Sequence, residues 1–121
     1  MIIIGIVGRK KMSKKTTPES LVLKAVCEYL TYKKYSFFRI NNIPSIQNDK
    51  YGFRMRKMPK YSMKGVSDIL LLKDGNAFFL ELKSYKGEMS EDQLKFEKFV
   101  ENAGCKYFLI RSVDDLIYYG F

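Results

Sequence analysis

Gly65-Val66-Ser67-Asp68-Ile69-Leu70-Leu71-Leu72-Lys73-Asp74-Gly75-Asn76-Ala77-Phe78-Phe79-Leu80-Glu81-Leu82-Lys83 is the stretch on which the reading of this chain turns. Apolar runs flank Asp74-Gly75, a dipeptide that tolerates the left-handed backbone of a tight hairpin turn. Two strands are predicted, Val66–Leu72 and Ala77–Leu82. With the turn placed there, Leu72 faces Ala77, Leu70 faces Phe79, and Asp68 faces Glu81. The two carboxylates then lie on one face with Cβ atoms roughly 5 Å apart. Lys83, two residues beyond Glu81, points the same way. The rest of both strands is apolar on both faces, the pattern of a buried central hairpin. Facing carboxylates repel there. Lys83 offsets part of that cost, and a divalent cation bridging Asp68 and Glu81 would offset more; oxygen ligands suit Mg²⁺. The plainer reading is a salt-bridged pair at the sheet edge. Three charged groups converging where the hairpin is otherwise apolar favour a site.

Outward from the hairpin, Thr16-Thr17-Pro18-Glu19 reads as a helix start. A Thr cap, a Pro in the first turn and a Glu three residues after Thr16 fit a capping box. Leu21, Val22, Ala25, Val26, Tyr29 and Leu30 recur at helical spacing and carry the helix from Pro18 to about Tyr32. Ser36–Asn41 reads as a strand, and Asn42 to Lys64 as a long loop. Ser90 caps a helix over Glu91–Asn102 that Gly104 stops. Lys106–Arg111 is a further strand, and Ser112 begins a short last helix through Tyr118. The order α-β-β-β-α-β-α predicts a mixed α/β sheet with helices packed on it. Residues 16–121 form one domain in this reading. Residues 1–15, apolar then basic, form an N-terminal extension, and whether residues 1–11 belong to the native product is open.

Lys and Arg number 22 against 13 Asp and Glu, a net charge of +9 on 121 residues. Such a field attracts polyanions, nucleic acid above all. Histidine is absent, which excludes Ser-His-Asp and Cys-His catalysis and His-ligated zinc. Hydrolysis would have to run on carboxylates, lysine, tyrosine and a hard metal ion. Cys27 and Cys105 read as buried free thiols in a reducing, intracellular setting. The apolar run Met1 to Val7 is too short to span a bilayer. Gly8 to Lys15 only superficially matches a phosphate-binding loop: Ser13 replaces its second Gly, and Lys15 stands where a Mg²⁺-binding hydroxyl is needed.

Between Lys50 and Lys64 the predicted loop carries Lys50, Arg54, Arg56, Lys57, Lys60 and Lys64, interleaved with Tyr51, Phe53 and Tyr61. The cations read as phosphate contacts, which supply affinity without sequence information. The aromatics either stack on exposed bases or pin the loop to the core.

The ordered set Gly65-Val66-Ser67-Asp68, Glu81-Leu82-Lys83 and Gln93 resembles the PD-(D/E)xK nuclease superfamily. Within it, the pattern is similar to the virus-type replication-repair nuclease family, VRR-Nuc. Glu19 matches a Glu on that family's first helix, and Arg39 and Asn41 match an Arg and Asn on its first strand. Ser67 stands where the superfamily's name has Pro, which is not a ligand. The resemblance spans Thr17 to Arg111. It implies a restriction-endonuclease-like fold and a metal-dependent DNA endonuclease. The catalytic set would be Asp68, Glu81, Lys83, Glu19 and Gln93. Asp68, Glu81, the Leu82 backbone carbonyl and Glu19 would hold Mg²⁺ or Mn²⁺. It further implies branched, four-way junction or duplex DNA as substrate, a homodimer, and the cytoplasm of a bacterial or phage-infected cell; no other protein partner is evident in the sequence. The alternative is a non-catalytic nucleic-acid-binding module of the same fold. Glu19 and Gln93 each have a second reading as the capping-box residue of a helix. Arg39 and Asn41 contact phosphate or support the metal site, or else form an exposed strand face.

Overall fold

The computed structural model describes residues 17–40, 46–49, 52–55 and 59–121, the two short segments by their backbone alone. Helix α1 (Pro18–Tyr32) leads into β1 (Ser36–Arg39). Strands β2 (Ile46–Asp49) and β3 (Gly52–Met55) precede the central hairpin of β4 (Ile69–Lys73) and β5 (Asn76–Leu82). Helix α2 (Glu91–Asn102), β6 (Lys106–Ile110) and α3 (Val113–Tyr118) complete the order.

Four strands form one sheet in the order β1-β4-β5-β6. The first two pairings are antiparallel, and β5–β6 is parallel. Helix α2 makes the crossover that a parallel pair demands. The central hairpin turns where expected, on positive-φ Asp74 and Gly75, and Leu72 pairs with Ala77 and Leu70 with Phe79. This is the mixed sheet with flanking helices that the hydrophobic pattern predicts. Between β1 and β4 the chain differs from expectation. Instead of one long loop it forms an antiparallel two-stranded ribbon, Ile46 pairing with Met55 and Asp49 with Gly52. Each strand has four residues, too short a run for alternation to mark it.

The sheet buries both faces. Ile69, Leu71, Leu80, Leu82 and Ile110 pack with Val26 and Leu30 of α1 and with Leu116 and Phe121 at the C-terminal end. The opposite face packs Tyr107 and Phe79 against Phe96 and Val100 of α2. Each fully buried aliphatic side chain contributes about 1.5–3 kcal/mol of transfer free energy, so this double layer holds the ends of β4 and β5 rigid. Cys27 and Cys105 are free thiols, as expected, but only partly buried.

Helix α1 corrects one assignment. Its N-cap is Thr17, and the reciprocal partner in the capping box is Ser20. The Ser20 amide donates to Thr17 Oγ1 at 3.1 Å, and the Thr17 amide donates to Ser20 Oγ at 3.1 Å. Thr16 and Glu19 are therefore not the capping pair, because Pro18 begins the helix one residue later than a Thr16 cap would require. At α2 the box is Ser90 with Gln93, as the sequence predicts.

Candidate active site

Asp68 stands one residue before β4, where the hairpin ladder slips. The ladder runs to Ile69 opposite Leu80, yet the Asp68 amide also addresses Leu80, donating to its carbonyl at 3.1 Å. Asp68 is therefore not squarely opposite Glu81, as a continued register would place it. Its own carboxylate takes the ladder position: Leu82 N–H donates to Asp68 Oδ2 at 2.8 Å. On the other side, Ile40 N–H donates to the Asp68 carbonyl at 3.0 Å. The residue is thus tied to both neighbouring strands.

Glu81 and Lys83 follow on β5 and just beyond it. Glu81 lies on the α2 face of the sheet and is 1% exposed, and Lys83 is 8% exposed. Lys83 Nζ stands 3.8 Å from Glu81 Oε2, an ion pair too long for a hydrogen bond. Gln93 Nε2 donates to the same Oε2 at 3.0 Å. Glu81 Oε1 is buried with no hydrogen-bond partner. Burial pushes the Glu81 carboxyl up to about 8; the Asp68 charge adds to this, Lys83 opposes it, and Glu19 adds a smaller push. Without a cation the site therefore holds Glu81 largely protonated at neutral pH.

Gln93 serves both readings at once. Its Oε1 accepts from the Ser90 amide at 2.8 Å while its Nε2 reaches Glu81. The side-chain amide carries both an acceptor for the cap and a donor for the carboxylate. Its backbone is fixed by a close approach. Gly65, at φ +76°, lies so near α2 that a Cβ there would stand 2.3 Å from the Asp92 carbonyl oxygen and 2.7 Å from Gln93 N. Glycine at 65 lets the segment leading to Asp68 rest on the first turn of α2.

Asp68 also lines a cleft of about 200 Å³ with Glu19, Arg39, Leu82, Thr17, Ser20 and Leu23. The first turn of α1 and the end of β1 therefore bring Glu19 and Arg39 to the mouth of the site, Glu19 exposed and outside the cap. No group of three acidic or thiol side chains converges on one point among the described residues. Asp68 and Glu81 are the carboxylates at the centre, and Glu19 stands apart. Lys60 and Lys64 are exposed. Asn41, Lys50, Arg56, Lys57 and the Arg54 side chain lie outside the described residues, as does the extension over 1–15.

Two residues absent from the sequence reading support this region. Arg111 Nη1 bonds the carbonyls of Ser84 at 2.6 Å and Gly87 at 2.7 Å, closing the loop that leaves Lys83. Tyr107 stands on the same sheet face as Glu81, two positions along through its pairing with Phe79. The parallel β5–β6 register was the signal that would have found it, and that register follows from the crossover and not from β6 alone.

A solved structure described as a VRR_NUC domain matches at TM-score 0.63, covering 87% of this chain and 99% of its own. The chain has the VRR_NUC fold. Identity over the match is 20%, so the likeness is one of backbone architecture. No protein-family model and no curated protein matches the sequence. Within the VRR_NUC fold, the end of the central hairpin and the start of α2 are where Asp68, Glu81, Lys83 and Gln93 gather.

A cation fits the residues present. A carboxylate oxygen buried without a donor, beside a second carboxylate and near the open cleft, matches the oxygen-donor chemistry of a hard divalent ion. No helix among the described residues is long and apolar enough to cross a membrane.

Proposed function

We propose that this chain is a VRR-Nuc nuclease, a metal-dependent DNA endonuclease that hydrolyses phosphodiester bonds. The observation that carries the reading is the partnerless Oε1 of buried Glu81 between Asp68, Lys83 and Gln93 in a VRR_NUC fold. Asp68 and Glu81, with the Leu82 carbonyl, would hold Mg²⁺ or Mn²⁺; Glu19 at the cleft would reach it through water. The bound ion supplies charge stabilisation at the scissile phosphate. Lys83 brings a cation to the same point, where it orients the attacking water and balances charge developing on the phosphate oxygens. Gln93 holds Glu81 from behind. Arg39 at the cleft mouth contacts the phosphate backbone. The net charge of +9 and the exposed Lys60 and Lys64 favour a polyanionic substrate.

The finer reading is branched or four-way junction DNA cut by a homodimer. Two-fold symmetry suits such a substrate because it presents two centres to two strands. The test is cleavage of labelled linear, flapped and four-way DNA with Mg²⁺, Mn²⁺ or EDTA, for wild type, Asp68→Ala and Lys83→Ala. Metal-dependent cutting lost in both variants, with DNA binding retained, is expected. Salt-sensitive binding with no cutting under any metal would instead leave a binding module of the same fold.

A further inference from the structure

We infer that Tyr107 is a positioning residue whose hydroxyl donates to Glu81 Oε1, directly or through one water, and so holds this carboxylate ready for a cation. The part about the cation rests on the proposed function; the contact itself does not. Among the described residues, two buried side-chain atoms have no hydrogen-bond partner: Glu81 Oε1 and Tyr107 Oη. Their strands are neighbours. Phe79 pairs with Tyr107 and Glu81 with Leu109, so Tyr107 is the diagonal neighbour of Glu81 on one sheet face, within reach of a long aromatic side chain.

The Tyr107 ring is held in place. It packs edge-on to Phe96 at 6.2 Å and belongs to the apolar layer beneath α2. Tyr107 is 8% exposed, so bulk water is not a ready partner. Orphaned buried polar groups are rare in folded proteins, and a bond between these two would satisfy both at once. The tyrosine hydroxyl carries one proton to donate, and Glu81 Oε1 is an acceptor without a donor. A carboxylate oxygen has two lone pairs. Glu81 Oε1 can therefore accept from Tyr107 and still face a metal, while Gln93 occupies Oε2. The acid is then fixed from two elements, α2 and β6.

Tyr107→Phe removes one oxygen and keeps the ring. The first measurement is the carboxyl carbon resonance of Glu81 in EDTA, assigned by its loss in Glu81→Gln. It is expected to move in Tyr107→Phe; a resonance that stays in place overturns the contact. The second is a calorimetric Mn²⁺ titration without DNA. Tyr107→Phe is expected to weaken Mn²⁺ binding about tenfold, the usual scale for losing a partner of a ligating carboxylate, while it keeps a cooperative melting transition in EDTA. Unchanged Mn²⁺ affinity in the variant, when wild type binds, overturns the positioning role. If wild type takes up no Mn²⁺ while the resonance moves, the contact stands and the metal-dependent reading of the site falls.

Discussion

Gln93 joins the start of α2 to the acid Glu81: its Nε2 donates to Glu81 Oε2 at 3.0 Å while its Oε1 accepts from the Ser90 amide at 2.8 Å. Helix capping and site geometry therefore share one side chain. Gln93→Glu keeps the cap acceptor but replaces the donor with a third carboxylate. In EDTA at neutral pH it is expected to destabilise the fold by about 1–3 kcal/mol, the cost of an unsatisfied buried group. Gln93→Ala also loses the cap, worth about 1 kcal/mol. Urea unfolding measures both, and Gln93→Glu equal to wild type would mean that the contact with Glu81 carries no weight.

Asp68 Oδ2 accepts from Leu82 N–H, and under the proposed function the same carboxylate would hold the metal. Asp68→Ala strips Leu82 N–H of its acceptor, while Asp68→Asn retains one. Both are expected to lose cleavage by 10²-fold or more, on the scale of removing one electrostatic stabiliser. Asp68→Asn should melt near wild type, and Asp68→Ala several degrees lower. The comparison requires melting curves beside a cleavage assay; full activity in Asp68→Asn would remove this carboxylate from the metal-holding role.

The Glu81 carboxyl makes metal-free stability depend on pH. Its pKa is pushed up to about 8 in the fold, from 4.5 in an unstructured chain, chiefly by burial and then by Asp68. The folded state thus binds the proton more tightly, and stability declines as pH rises between those values. The contribution is whole below the lower value and gone above the higher one. Melting temperature in EDTA is expected to fall by several degrees across this window, and Glu81→Gln should flatten that fall. Added Mg²⁺ at about pH 8 should raise the wild-type melting temperature, because a ligand of the folded state stabilises it. An equally steep fall in Glu81→Gln would assign the effect to other groups.

Gly65 and Gly75 both have positive φ, yet they differ in surroundings. A Cβ at Gly65 would collide with α2 backbone at Asp92, whereas nothing lies within 4 Å of one at Gly75. Gly75→Ala should cost roughly 1–2 kcal/mol, the penalty for a left-handed L-residue. Gly65→Ala adds displacement of the Asp68 segment from α2, and should cost roughly 3–5 kcal/mol, in the range of the most damaging substitutions. It should also lower cleavage in the fraction that folds. Equal costs at the two positions, measured by denaturant unfolding, would show that α2 yields to the added methyl.

The sequence by itself determined the central hairpin, its turn, the span of α1 and α2, and the grouping of Asp68, Glu81 and Lys83. These features are local. Asp74-Gly75 sets the register, alternation sets the faces, and apolar spacing sets the helices, so each could be read within one stretch of chain. Gln93 was legible as a cap for the same reason. Its second bond, to Glu81, depends on how α2 lands on the sheet. Tertiary structure alone decided that the ladder slips at Asp68, that Gly65 rests on α2, and that Tyr107 lies beside Glu81. It also released Glu19 from the cap by pairing Thr17 as N-cap with Ser20. The ribbon of β2 and β3 escaped notice because strands of four residues are too short to carry a secure periodic signal; only their pairing with each other defines them. The physical reason is common to all these cases: a contact between segments far apart in sequence depends on packing geometry, and no short pattern of residue types encodes it.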